Sequence, residues 1–193
     1  MSKFTQLLLT FFLLLYSSNC TVTTGVGVTG LVVLDERSVG NIIDDKVLFA
    51  KIMHQYTMNS LTNLLKNLSL RVYEGRVLLV GDVMDTESRE TAETLVWSVR
   101  GVKEVINEIV VLSQDNINLQ KDIKISTQLR VQLVMNRGIN LINYRIISHN
   151  QVLYLLGMAK TQKELNNILA IASRVNGVRK VKSYILLSND VRR

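Results

Sequence analysis

The chain has 193 residues, 47% of them hydrophobic and 20% charged, which is enough for packed cores and too apolar for a disordered chain. It has no proline and ten glycines, so glycine, Asn and Ser must supply the turns. The net charge of +7 is one-sided: residues 113–193 carry thirteen basic and four acidic residues, residues 1–112 ten and twelve, so an anionic partner should prefer the C-terminal half.

Lys3 precedes an apolar run, residues 7–15, that is too short for a bilayer, which needs ~20 residues. A basic start, a short apolar core and small polar residues (Ser17, Ser18) describe a secretory signal peptide over residues 1–19. Cys20 is the sole cysteine, so no intramolecular disulfide forms. Its place just after the apolar core resembles the acylated cysteine of bacterial lipoproteins, although Ser17 and Asn19 stand where a lipobox usually has Leu and a small residue. The alternative is ordinary cleavage that leaves an incidental thiol. Residues 20–40, with Gly25, Gly27 and Gly30, read as a flexible tether.

The first module, residues 41–112, opens with a helix over about 44–56, and Leu61, Leu64, Leu65 and Leu68 suggest a further helical turn. Residues 69–73 and 76–80 are apolar strands joined by a turn at Glu74–Gly75. Ala92, Leu95, Val96 and Val99 fall on one helical face behind an Asp85 cap. Gly101 follows that helix, and residues 102–112 form a β-branched strand. Asp44, Asp45, Asp82 and Asp85 read as helix caps rather than a metal site. Trp97 reads as a core or inter-module residue.

After a polar linker at 113–120, residues 121–190 repeat the order. One offset of 76 residues superimposes Gly81 on Gly157, Gly101 on Gly177, and the apolar runs flanking them. A helix at about 121–136 carries Ile125, Leu129, Leu133 and Met135. Strands at 143–148 and 151–156 meet at a turn placed at His149–Asn150. Thr161–Gln162–Lys163–Glu164 has the form of a capping box, and Leu165, Ile168, Leu169, Ala172 and Val175 line one helical face. The strand 178–188 closes the module. The fold class is α+β: two tandem αββαβ modules, each a three-stranded mixed sheet against two helices.

Gly75–Arg76–Val77–Leu78–Leu79–Val80–Gly81 and the later Gly101–Val102–Lys103–Glu104–Val105 resemble the signature of the BON family. The second unit keeps Leu153, Leu155 and Gly157 but has Gln151 in place of the first glycine. Gly75, Gly81, Gly101, Gly157 and Gly177 are its structural glycines. Across residues 20–188 the chain resembles the dual-BON-domain outer-membrane lipoproteins. That resemblance implies a lipid-anchored, periplasm-facing protein that supports outer-membrane integrity. It also implies contact with anionic phospholipid through the first helix of the second module, by Lys121, Ile123, Lys124, Ile125, Arg130 and Arg137. Lys124, flanked by Ile123 and Ile125, occupies the place where the family can present an aromatic residue.

No catalytic constellation, metal site, cofactor or small-molecule site is readable: His54 and His149 lie in different repeats, and there is no phosphate-cradling glycine loop. A scaffold that docks on envelope proteins is the alternative function. Nucleic-acid binding fits the charge but conflicts with export and lacks interleaved surface aromatics.

Overall fold

The computed structural model describes residues 39–59, 67–111 and 119–191. The signal peptide, Cys20, nearly all of the tether and of the linker, and Leu61, Leu64 and Leu65 lie outside the described residues.

The first module runs α1 (Val39–Met58), β1 (Leu68–Tyr73), β2 (Arg76–Val83), α2 (Thr86–Trp97) and β3 (Glu104–Val111). The second runs α3 (Leu119–Met135), a 3-10 turn (Leu141–Asn143), β4 (Tyr144–His149), β5 (Val152–Ala159), α4 (Gln162–Ser173) and β6 (Lys180–Leu187). In each sheet the middle strand pairs antiparallel with the strand before it and parallel with the strand after the crossover helix. Leu68 opens β1 rather than closing a helix, because pairing with Gly81 draws it into the sheet.

The middle strands, β2 and β5, are buried on both faces, and the two-residue period sorts their side chains. In β2, Val77, Leu79 and Val83 face α1 and α2, packing with Leu48, Ile52, Tyr56, Ala92 and Val96. In β5, Leu153, Leu155 and Ala159 do the same against Leu129, Leu133, Ile168 and Ala172. The alternate residues form a third core. Tyr73, Leu78, Val80 and Ile106 of one sheet pack on Ile147, Tyr154, Leu156 and Met158 of the other. The two sheets therefore stack face to face with the helices outermost. The compact unit Leu34–Arg193 contains all three cores, the anatomy of a body that folds on its own.

Polar groups rim the sheet-to-sheet layer. Buried Arg76 pairs with Glu104 and donates from Nη1 to the Tyr184 carbonyl at 2.7 Å. Glu108 of the first module accepts from Lys182 Nζ and from the Tyr184 hydroxyl of the second. His149 Nε2 lies 2.7 Å from Asp82 Oδ2. Asp82 is thus an interface group and not a helix cap, whereas Asp85 does cap α2, accepting from Ser88 N at 2.6 Å. Thr161 caps α4 by accepting from Glu164 N, as its capping box predicts.

A buried carboxylate fixes each hairpin. Asp45, inside α1 rather than at its cap, accepts from Glu74 N (2.9 Å) and Gly75 N (3.0 Å). Asp122 of α3 accepts from Asn150 N (2.8 Å), Gln151 N (2.9 Å) and the Ser148 hydroxyl (2.6 Å). The second turn is centred on Asn150–Gln151, one residue beyond the sequence expectation, because His149 pairs with Val152 as the last residue of β4. All four central turn residues have positive φ: 52° and 78° in the first hairpin, 48° and 63° in the second. Such turns match strand twist but favour glycine, so Gln151 is held there against its intrinsic preference.

Gly81 and Gly157 answer a different need. A Cβ on either would meet the carbonyl oxygen of Asn67 or Asn143 at 2.0 and 2.1 Å. Gly101 and Gly177 also have positive φ, but they serve turns closed by Val102 N to Val99 O and Val178 N to Val175 O. Ser98 and Arg174 cap the helices themselves in right-handed conformation.

Two outcomes follow for stability. Asp122→Ala leaves three donors without their acceptor and should cost ~3 kcal/mol in urea unfolding, whereas Gln151→Gly should gain ~0.5–1 kcal/mol. Burial, then the charges of Glu108, Asp82 and Asp122, push the Tyr154 phenol up to about 12 from 10.0. A raised folded-state value favours the protonated phenol, so its contribution is complete below pH 10 and lost as pH rises towards 12. The thermal midpoint should fall across that window, and Tyr154→Phe should flatten the fall.

Candidate membrane-contact helix

The helix α3 lies on the outer face of the second sheet and presents two unlike surfaces. At about 100° per residue, Asp122, Ile125, Leu129 and Leu133 share one side. All four are buried there, the three aliphatics in the core of the second module. Ile123, Thr127, Val131 and Val134 fall opposite, and all are exposed. Ile123 is 56% and Val134 66% accessible, values that identify a second apolar face with no cover among the described residues. Leu119 and Met135 extend it towards the two helix ends and are also exposed.

Among the sequence-predicted residues, Ile123 and Lys124 belong to this outward surface, with exposed Lys121 and Arg137 at its borders. Ile125 does not. It is 2% accessible, because it stands one turn before Leu129 on the inward side. Met135 is exposed rather than part of the inward stripe, since it lies two residues past Leu133. Arg130 is half-buried and donates from Nη2 to the Ile146 carbonyl of β4 at 2.9 Å, so its guanidinium turns to the sheet edge. Sequence reasoning missed Leu119, Val131 and Val134. Their signal was present as i, i+4 and i, i+3 spacings on the side opposite Leu129, overshadowed by the stronger inward stripe.

The remaining candidates are dispersed. His54 is an exposed residue of α1. Trp97 ends α2 half-exposed and joins none of the three cores; Val96, one residue earlier, takes the buried position. Among the described residues no group of His, Cys, Asp or Glu could hold a metal ion, and no helix is long and apolar enough to cross a membrane. The arrangement on α3 can do one thing chemically: present aliphatic side chains and ammonium groups together to a surface that is apolar beneath and anionic above.

Comparison with known proteins accounts for the repeat. The BON-domain profile matches residues 44–113 and 121–189, one match for each module. An uncharacterized protein encoded in the gshII 5' region of Anaplasma centrale is 38% identical over 151 residues, 77% of this chain and 97% of that protein. The outer membrane lipoprotein DolP of Haemophilus influenzae is 32% identical over 161 residues, 83% of each chain. A 21 kDa hemolysin of Actinobacillus pleuropneumoniae is 26% identical over 153 residues, 79% of this chain and 78% of that one. With two family matches that together span most of its length, the chain belongs to the BON-domain family as a tandem, dual-BON member.

Proposed function

We propose that this protein is a non-catalytic envelope lipoprotein that supports outer-membrane integrity by binding anionic phospholipid through α3 of its second module. The observation that carries the reading is the outward face of α3, where Ile123, Val131 and Val134 stand exposed beside Lys124. A soluble protein gains nothing from a second apolar helix face unless something apolar meets it. The kinship with an outer membrane lipoprotein supports placement in the envelope, and the position of Cys20 supports a lipid anchor there.

The energetics suit a two-signal attachment. A single acyl chain binds a bilayer only marginally. Each ammonium group near an anionic surface adds about 1 kcal/mol, and each inserted aliphatic side chain adds its buried area at roughly 25 cal/mol per Å². The exposure of the α3 side chains supports a revised set of contact residues. Ile123 is kept as an inserting group, Val131 and Val134 take the place of Ile125, and Lys121, Lys124 and Arg137 remain the peripheral cations. No aromatic is required where two or three aliphatics enter the interface together.

Co-sedimentation of residues 34–193 with vesicles tests this. Binding should be selective for phosphatidylglycerol over phosphatidylcholine and should weaken with added salt. Lys121→Gln with Lys124→Gln should lower anionic-vesicle affinity ~30-fold, and Val134→Asp should lower it at least as far. Equal binding to neutral vesicles, or variants that bind like the parent, would refute the assignment to α3.

A further inference from the structure

A separate cationic groove lies where the first module's helix meets the edges of both sheets. It has a volume of about 230 Å³ and is lined by Asp45, Lys46 and Phe49 of α1, by Leu70, Arg71 and Val72 of β1, and by Arg145 of β4. Three of the seven lining side chains are cations and one is a carboxylate. That carboxylate, on Asp45, already accepts two amides of the first hairpin turn.

Arg71 is the telling residue. Its guanidinium donates from Nη1 to the carbonyl of Leu70 at 2.8 Å, and neighbouring Arg130 donates to the carbonyl of Ile146. Neither has a carboxylate partner among the described residues. Burial, and after it the charge of Arg130, makes the Arg71 guanidinium easier to deprotonate than usual. A half-buried guanidinium that shares its groove with Lys46 and Arg145 and has no carboxylate partner of its own is costly in a folded protein. A bound oxyanion removes that cost. Guanidinium forks match phosphate oxygens, and a lysine adds a mobile point charge. Arg145 is held in place by stacking over the Tyr73 ring at 5.6 Å and by donating to the Ile142 carbonyl.

We propose that this groove binds one phosphate-type oxyanion, with Arg71 as its principal donor and Lys46 and Arg145 closing the site from α1 and β4. The site draws on both modules, so a single anion bridges them. It lies apart from the outward face of α3 and stands independently of the membrane role given to that face. The same chemistry is offered by a phospholipid headgroup and by free phosphate, with Phe49 placed to meet the apolar part of a lipid.

Thermal unfolding of residues 34–193 separates these sources. It is followed in chloride, in inorganic phosphate at matched ionic strength, and with dihexanoyl phosphatidylglycerol below its micellar concentration. A midpoint raised by ~4 °C at ten times Kd, and lost in Arg71→Gln, supports the site. If phosphate alone does this the ligand is the free anion, and if the short-chain lipid alone does it the ligand is a headgroup. Exposed Lys46→Gln, which leaves the cores untouched, should roughly halve the shift and serves if Arg71→Gln does not fold. Val134→Asp on α3 should leave the shift intact even where it abolishes vesicle binding. No shift with either ligand, or an undiminished shift in Arg71→Gln and Lys46→Gln, would overturn the proposal.

Discussion

The stacking of one sheet on the other governs the rest of this structure. A three-stranded sheet covered by helices on one side still exposes its other face, and in both modules that face is strongly apolar. Leu78 and Val80 on one side, Tyr154, Leu156 and Met158 on the other, are all nearly inaccessible once the sheets meet. Facing the two sheets together buries these residues without a third layer. The consequence reaches the proposed membrane-contact surface directly. Because sheet meets sheet, the four helices among the described residues are left on the outside, and α3 is free to carry a second apolar face. The polar rim then adds register: Arg76 reaching the Tyr184 carbonyl, and Glu108 held by Lys182 and Tyr184, are complementary only when the modules sit in one arrangement.

Within each module the buried aspartate performs a comparable task on a smaller scale. Asp45 and Asp122 project from the first helix of their modules into the hairpin turns, binding helix to sheet through backbone amides, joined at Asp122 by the Ser148 hydroxyl. This explains how the repeat tolerates Gln151 where the first module has Gly75. The three donors gathered on Asp122 hold the turn against the cost of a positive φ at a non-glycine residue. The clamp also fixes the rotation of α3. With Asp122 pinned inward, Ile123 and Lys124, the next two residues, are turned towards the outer side.

Much of the fold was legible in the chain. The 76-residue offset, the helical spacing of Leu165 to Val175 and the capping box at Thr161 led to the observed element order. The hairpin of the second module slipped by one residue, since Gln151 gives no local hint that it will occupy a left-handed turn. Asp45 and Asp82 were read as caps because a carboxylate near a helix most simply serves its terminus. Their partners, Glu74 N and His149, are 29 and 67 positions away in the sequence, and no local pattern announces a contact of that kind. The sheet-to-sheet layer did leave a trace: Val77–Leu78–Leu79–Val80 is a continuous apolar run where a half-exposed strand would alternate. On α3, the inward stripe was found and its weaker opposite was not, so Ile125 was assigned to the surface although its spacing to Leu129 already placed it in the core.

In the proposed function α3 is the element that enters a lipid interface, with the modules held as one body behind it. Amide signal loss caused by spin-labelled lipid in phosphatidylglycerol bicelles measures this residue by residue. Strong broadening is expected to be confined to α3, deepest at Ile123, Thr127, Val131 and Val134, with α2 and α4 unaffected. Broadening centred on α2 near Trp97, or none above the level seen with phosphatidylcholine alone, would contradict it.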